Sequence, residues 1–144
     1  MRFNGEWLEC DDGIVRPVIR GRILASNGAW RTVEFLVDTG ADRTVLSASA
    51  FRSLGLPSRV SEDAIGGIGG LADSVTITAE LQLLRDDGKW ATFRGEYAAC
   101  TRHEVLDMSV LGRDVTNLFA VIVDRPANLV AVIGQAHEYT IHRR

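Results

Sequence analysis

Cysteine is scarce in this chain of 144 residues, which has only Cys10 and Cys100. They stand far apart, without CxxC spacing or a matching histidine cluster, and that argues against a zinc site. The pair allows one disulfide or two reduced, half-buried thiols, and the second is the expectation. Histidine is limited to His103, His137 and His142. None stands with a serine or cysteine at a spacing that would suggest a Ser or Cys nucleophile. There is no basic stripe either: Lys and Arg number 16 against 19 acidic residues, and the formal net charge is −3. The two signs are interspersed, so no nucleic-acid partner is expected, and Arg143-Arg144 is too short a run to alter this. Long hydrophobic runs are also missing. The longest, 119–123 and 129–133, are about five residues each, far short of a membrane span. The first residues, Met1-Arg2-Phe3-Asn4-Gly5-Glu6, are polar and lack the apolar core of a signal peptide. A cytoplasmic protein without a membrane partner is the expectation. No internal repeat or linker interrupts the chain, and its length suits one domain, 1–144, able to bury a core.

What the chain has in quantity is alternation. Val75, Ile77, Ala79, Leu81 and Leu83 alternate with Thr76, Thr78, Glu80 and Gln82, which predicts a strand with one face on the core and one in water. Asp86-Asp87-Gly88 ends it, and a second strand follows from Trp90 on one of two faces: Trp90, Thr92, Arg94 and Glu96, or Ala91, Phe93 and Tyr97. The two form a hairpin. Residues 15–25 are another extended run, with Pro17 marking an edge or a strand start. Ser26-Asn27-Gly28 is a hairpin turn, and the return strand from Trp30 leads to Asp38. Residues 120–124 and 129–133 flank Arg125-Pro126-Ala127-Asn128 as a third hairpin. Helix signals are short. Ser47 caps a helix running to Leu54, stopped by Gly55 and Pro57, and 112–118 suit another. The expected fold is therefore mainly antiparallel β with one or two short helices.

Three segments carry chemistry. Asp38-Thr39-Gly40-Ala41 ends the apolar run Thr32-Val33-Glu34-Phe35-Leu36-Val37. A carboxylate held where a buried strand breaks into a turn suits a catalytic acid or base. The plain alternative is a turn whose Asp satisfies local amides. Thr44-Val45-Leu46 then resumes an apolar strand. The second segment, Ile65-Gly66-Gly67-Ile68-Gly69-Gly70, is the one low-complexity stretch. With Leu71-Ala72 it formally fits the dinucleotide fingerprint, which needs a following helix for the phosphates. Period-two residues follow instead, so a pliable hairpin tip closing over a ligand is the better reading, and a plain flexible loop the bland one. The third is Val110-Leu111-Gly112-Arg113-Asp114, where glycine permits close approach of another backbone. Trp7, Trp30 and Trp90 read as packing residues, and His103-Glu104 as solvated surface.

Together, Asp38-Thr39-Gly40-Ala41-Asp42 with Thr44-Val45-Leu46, the glycine-rich segment at 66–70 and Val110-Leu111-Gly112-Arg113-Asp114 closely resemble the retropepsin-like aspartic proteases. The resemblance spans roughly 15–133, with the elements in the family's order. It implies an all-β fold, the closed β-barrel of the acid proteases, and an aspartic endopeptidase needing no cofactor and no metal. Because the motif occurs once, it implies a homodimer acting on a peptide or protein substrate, with one Asp38 from each copy at the two-fold axis. Asp38, Thr39 and Gly40 would be the catalytic segment, Thr39 crossing the axis to the other subunit's backbone and Gly40 offering its carbonyl to substrate. Ala41 and Asp42 would line the substrate, as would Gly67, Ile68 and Gly69 at a flap tip. Arg113 would pair with Asp42, and Gly112 would lie in the strand packed under the catalytic loop. Arg43 departs from the acidic or polar residue common in viral members. The first dozen residues and the tail from Gln135 have no counterpart, although 138–142 suits a strand. The alternative is a retropepsin-fold module that binds peptides or dimerises with little cleavage, since a fold does not guarantee activity.

Overall fold

The computed structural model describes residues 1–61, 65–67, 70–72, 74–134, 140 and 142, with backbone alone in 65–67 and 70–72. Two short strands, β1 (Arg2–Asn4) and β2 (Glu6–Glu9), precede a long pair, β3 (Val15–Leu24) and β4 (Trp30–Val37). Then come β5 (Val45–Leu46), helix α1 (Ala48–Leu54) and β6 (Arg59–Val60). A small hairpin of β7 (Ile65–Gly67) and β8 (Gly70–Ala72) leads into a long one, β9 (Ser74–Leu84) and β10 (Trp90–Cys100). The last described elements are β11 (Ser109–Leu111), helix α2 (Arg113–Thr116), β12 (Ala120–Asp124) and β13 (Leu129–Ile133).

The three hairpins expected from turn chemistry form in register. Leu24 faces Trp30 across the first. Gly28 sits at φ 84°, a conformation that costs a residue with a Cβ but not glycine. Asn27 Oδ1 accepts the Ala29 amide at 3.0 Å and locks the same turn. Leu84 faces Trp90 in the second hairpin and Asp124 faces Leu129 in the third. Helix α1 begins as read: Ser47 Oγ accepts the Ala50 amide at 3.3 Å, and Gly55 closes the other end.

Strands β3, β4, β11, β5, β10 and β9 are hydrogen-bonded in that order, and β9 pairs back onto β3. The result is a closed six-stranded β-barrel. Closure removes the open edges that a flat sheet of these apolar strands would expose. Two joints are parallel, β4 with β11 and β5 with β10. Ile19, Ile23, Phe35, Leu46, Leu81, Leu83 and Leu111 fill the interior, each at most 1 % exposed. Burial of a side chain of this size stabilises the fold by about 2 kcal/mol.

The N-terminal segment, which gave no sequence signal, is part of this structure. β1 pairs with β13, and a second sheet runs β1-β13-β12. Phe3 is fully buried and meets Phe119 edge to face at 5.4 Å and Phe93 at 6.3 Å. β2 pairs with β3, placing Trp7 opposite Pro17. Of the two faces weighed for β10, Trp90, Thr92, Arg94 and Glu96 point outward. The reading of β9 needs one correction: Thr76 is buried and Val75 only half-buried. The Thr76 hydroxyl meets the Ser61 hydroxyl at 2.7 Å beside β6, so the polar atom is satisfied where alternation alone would have put it in water. Trp30 and Trp90 sandwich the Arg22 guanidinium, 4.6 and 3.7 Å from the ring centres. Both cysteines are free thiols, Cys10 half-buried and Cys100 buried. Burial pushes the Cys100 thiol up from its ordinary pKa. Among the described residues no helix is long and apolar enough to cross a membrane. The strand suggested at 138–142 lies largely outside them.

Candidate active site

Strand β4 carries the chain out of the core and ends at Val37, so Asp38 stands at the rim, half-buried, with Thr39 and Gly40 exposed after it. Its backbone is held by the neighbouring strand, as the Asp38 amide donates to the Leu111 carbonyl at 3.2 Å. The turn closes with the Ala41 amide on the Asp38 carbonyl at 3.3 Å. The Gly40 amide donates to Asp38 Oδ1 at 2.9 Å. That bond fixes the rotamer of the carboxylate. Among the described residues it is the one hydrogen bond the Asp38 side chain receives, and Oδ2 is left open.

The loop after Asp38 is tied to α2 at several points. The Arg113 amide donates to the Ala41 carbonyl at 2.8 Å, and Arg113 Nη1 donates to the Thr39 carbonyl at 3.0 Å. Arg113 Nη2 also pairs with Asp42 Oδ1. The pairing expected of Arg113 and Asp42 therefore forms, but in the open, with the Asp42 side chain 81 % exposed. An ion pair in water is worth little. The part of Arg113 that matters for the loop is its grip on two backbone carbonyls.

Gly112 stands where the loop and α2 cross. A Cβ on it would lie 2.3 Å from the carbonyl carbon and oxygen of Arg43 and 2.8 Å from the Thr44 amide. Nothing but glycine fits between these backbones, as its place in the sequence suggested. The strand itself ends at Leu111, and Gly112 is the N-terminal cap of α2 rather than a strand residue.

The residue that the sequence reading left without a role is Asp114. Its carboxylate accepts the Thr44 amide with both oxygens at 2.9 Å and the Thr44 hydroxyl at 2.7 Å. Thr44 is fully buried, and its hydroxyl oxygen in turn accepts the Gly112 amide at 3.1 Å. A second, smaller lock joins β11 to α1, where the Ser47 amide donates to Ser109 Oγ at 3.0 Å. The sequence signal for the first lock was present. A buried threonine amide between a loop and a two-residue strand needs an acceptor, and an acidic residue in the first turn of a short helix can supply one. The pairing of the two across 70 positions is visible only in the fold. The same charge reaches Tyr97, whose phenol is pushed up to about 12 by burial first and by Asp114 second.

The glycine-rich segment forms the β7–β8 hairpin, with Ile65 opposite Ala72, Gly66 opposite Leu71 and Gly67 opposite Gly70. Ile68 and Gly69, expected at its tip, lie outside the described residues. Strand β8 and then β9 follow the glycines, so no helix N-terminus is available there to a dinucleotide pyrophosphate. His103 is exposed, and its Nε2 lies 2.6 Å from Arg52 Nη1. Two concavities, of about 600 and 510 Å³, share Glu34, Asp107 and Met108, and neither contains Asp38.

The comparisons with known proteins agree with this geometry. A family model for aspartyl proteases matches residues 19–115. Among solved structures, the protease of EIAV, in complex with the inhibitor HBY-793, superposes with a TM-score of 0.53 at 23 % identity, over 71 % of this chain and 86 % of that one. A retropepsin-like aspartic protease from Rickettsia conorii superposes with a TM-score of 0.54 at 18 % identity, over 92 % of this chain and 86 % of that one. No curated protein matches the chain.

Proposed function

The chain belongs to the aspartyl protease family, and we propose that it is an aspartic endopeptidase whose active site is built from two Asp38 side chains, one from each of two copies. The observation that carries this reading is the state of Asp38: rotamer held by the Gly40 amide, backbone held by Leu111, and the second carboxylate oxygen without a hydrogen bond among the described residues.

Two carboxylates brought to contact across a two-fold axis cannot both ionise cheaply, so the pair shares one proton over a middle pH range. The charged member takes a proton from a water held between them. The protonated member hydrogen-bonds the scissile carbonyl oxygen. Water attacks the carbonyl carbon and a tetrahedral gem-diol forms. The C–N bond then breaks as a proton passes to the leaving amine. Each Asp38 uses the oxygen that Gly40 does not hold.

The neighbouring residues have supporting parts in this reading. The Thr39 hydroxyl crosses the axis to the partner's loop, and the Gly40 carbonyl receives a substrate amide. Ala41 is small where the peptide passes, and Asp42 meets substrate main chain while Arg113 orients it. Gly67, Ile68 and Gly69 cover the bound peptide with main-chain groups. Gly112, Asp114 and Thr44 keep the loop rigid, so that two loops meet within the tolerance that proton transfer between carboxylates demands.

The test is cleavage of a peptide library by the purified chain beside its Asp38→Asn form. Activity in the first and none in the second supports the proposal. Equal cleavage by both would exclude it, and peptide binding without cleavage by either would indicate a binding module.

A further inference from the structure

We infer that the groove running from β2 past β4 to α1 is a docking site for an extended segment of a partner protein, one that carries Arg or Lys side chains along its length. The groove is the space formed by the two concavities of about 600 and 510 Å³, which join at Glu34, Asp107 and Met108. Leu8 stands at its β2 end and Ala50 at its α1 end, with Val33 and Met108 between them. Apolar side chains therefore run along it. Asp38 is not among its lining residues, so the groove is separate from the site described above.

The charge around this apolar floor is of one sign. Glu9, Asp11, Asp12, Glu34 and Asp107 line the groove, all exposed, with Arg16 as the one cation. Asp12 already holds that cation with both oxygens, at 2.9 and 2.7 Å. Arg20 stands opposite Glu34 across β3 and β4, but its guanidinium pairs with Glu6. Among the described residues, Glu9, Asp11, Glu34 and Asp107 take part in no ion pair. Five carboxylates and one guanidinium give the lining a net charge of −4, against −3 for the whole chain. The rest of the molecule is close to neutral, and its acidity is gathered here. Charge of one sign in a cleft with apolar walls focuses the field and concentrates the opposite charge.

The spread of the charges selects the occupant. A divalent cation needs ligands that converge on one point, and among the described residues no three His, Cys, Asp or Glu side chains do so. Nucleic acid and acidic peptides are repelled. A peptide with cationic side chains at intervals and apolar ones between them matches both the rim and the floor. The position of the groove gives such docking a use. Glu34 is four residues before Asp38, about 13 Å along an extended strand. Ser109, which also lines the groove, pairs with Phe35 in the strand whose Leu111 holds the Asp38 amide. A protein cut at Asp38 can thus be gripped through a second, basic stretch. The docking stands without the protease reading, and only this use of it rests on that reading.

The test is fluorescence anisotropy with a short labelled peptide of alternating Arg and Leu, added to the Asp38→Asn chain so that nothing is cut. The peptide should bind, more weakly as salt is raised, and should lose its binding when Gln replaces each Arg. Glu34→Gln with Asp107→Asn should weaken binding by roughly tenfold, for two exposed ion pairs. Glu96→Gln with Asp86→Asn removes the same charge elsewhere and should leave binding unchanged. In the active chain, a neutral cleavable peptide extended by the Arg-Leu stretch should gain severalfold in KM with kcat unmoved, and the groove variant should cancel that gain. No binding, equal binding of the Gln peptide, or equal weakening by both pairs of substitutions would each overturn the docking site. So would binding that fades as the protein concentration rises, which would put a second copy in the groove. Binding that appears only after Arg143→Gln and Arg144→Gln would put the chain's own arginines there and overturn it as well. The two readings fail separately. A chain that docks the peptide and cleaves none keeps the groove and loses the protease. A chain whose cleavage is lost in Asp38→Asn but which docks nothing does the reverse.

Discussion

Asp114 and Thr44 are 70 residues apart in sequence, yet the carboxylate of the first accepts both the amide and the hydroxyl of the second. Thr44 has no exposure to water while Asp114 is exposed, so the lost bonds leave buried donors that water reaches only from the Asp114 side. Asp114→Ala should cost about 2 kcal/mol, the range for leaving a buried amide and hydroxyl without an acceptor. Asp114→Asn keeps one acceptor oxygen and should recover roughly half of that loss. Urea denaturation of the three proteins, with equal slopes, measures it.

Gly112→Ala should be worse. The added methyl would stand 2.3 Å from the Arg43 backbone, and backbone on both sides cannot turn away as a side chain could. A loss of at least about 3 kcal/mol is expected, a large share of the roughly 5–15 kcal/mol that keeps a domain folded. Circular dichroism and thermal unfolding check this. A fold as stable as the parent would mean that the loop and α2 do not cross as described.

Asp38→Asn should separate activity from stability. The amide oxygen of asparagine can still accept the Gly40 amide, so the midpoint of thermal unfolding should move by no more than a few degrees. Cleavage should fall on the order of a thousandfold, because an amide cannot take a proton from water.

Arg113→Ala probes the loop more gently. Its ion pair with Asp42 is exposed, so stability should drop by less than about 1 kcal/mol. The Thr39 carbonyl loses its donor, however, and the loop loses its aim. Cleavage should fall roughly a hundredfold, more in kcat than in KM. Asp42→Ala, which leaves Arg113 on the Thr39 carbonyl, should be milder.

Tyr97 sets a limit at high pH. Its phenol is buried and donates to the Phe93 carbonyl at 2.8 Å, and its pKa is raised from 10.0 to about 12. A raised folded pKa means that the native state holds the proton more tightly than the unfolded chain. Its contribution is therefore complete below pH 10 and is lost as the pH rises through about 12. The loss amounts to up to about 3 kcal/mol, and the raised thiol of Cys100 acts in the same direction. Tyr97→Phe should be less stable than the parent at pH 8 by about 1 kcal/mol, for one hydrogen bond, and should decline less steeply above pH 10 when stability is followed by urea titration.

Much of this was readable in the chain. Asn27-Gly28, Asp87-Gly88 and 125–128 announced their hairpins because turn geometry is decided by three or four adjacent residues. Ser47 and Gly55 announced α1 for the same reason. Glycine at 112 was readable as a close approach, although its partner was not. Residues 1–9 were silent because β1 and β2 are too short to show a period, and they are strands only because β13 and β3 are beside them. Thr76 looked solvent-facing because alternation knows nothing of Ser61. Asp114 carried no role of its own because a four-residue helix cannot tell which loop it will meet.

The sequence by itself determined the local events: where strands start and stop, where the chain turns, and that one Asp-Thr-Gly-Ala turn ends an apolar strand. These depend on backbone preference and on apolar period, which neighbours in the chain decide. Only the tertiary structure decided how the turn is held. Closing six strands into a barrel places Leu111 beside Val37, brings Arg113 onto the Asp38 loop and puts the Asp114 carboxylate on Thr44. Hydrogen bonds of that kind act over about 3 Å, and sequence separation says nothing about which groups will come that close.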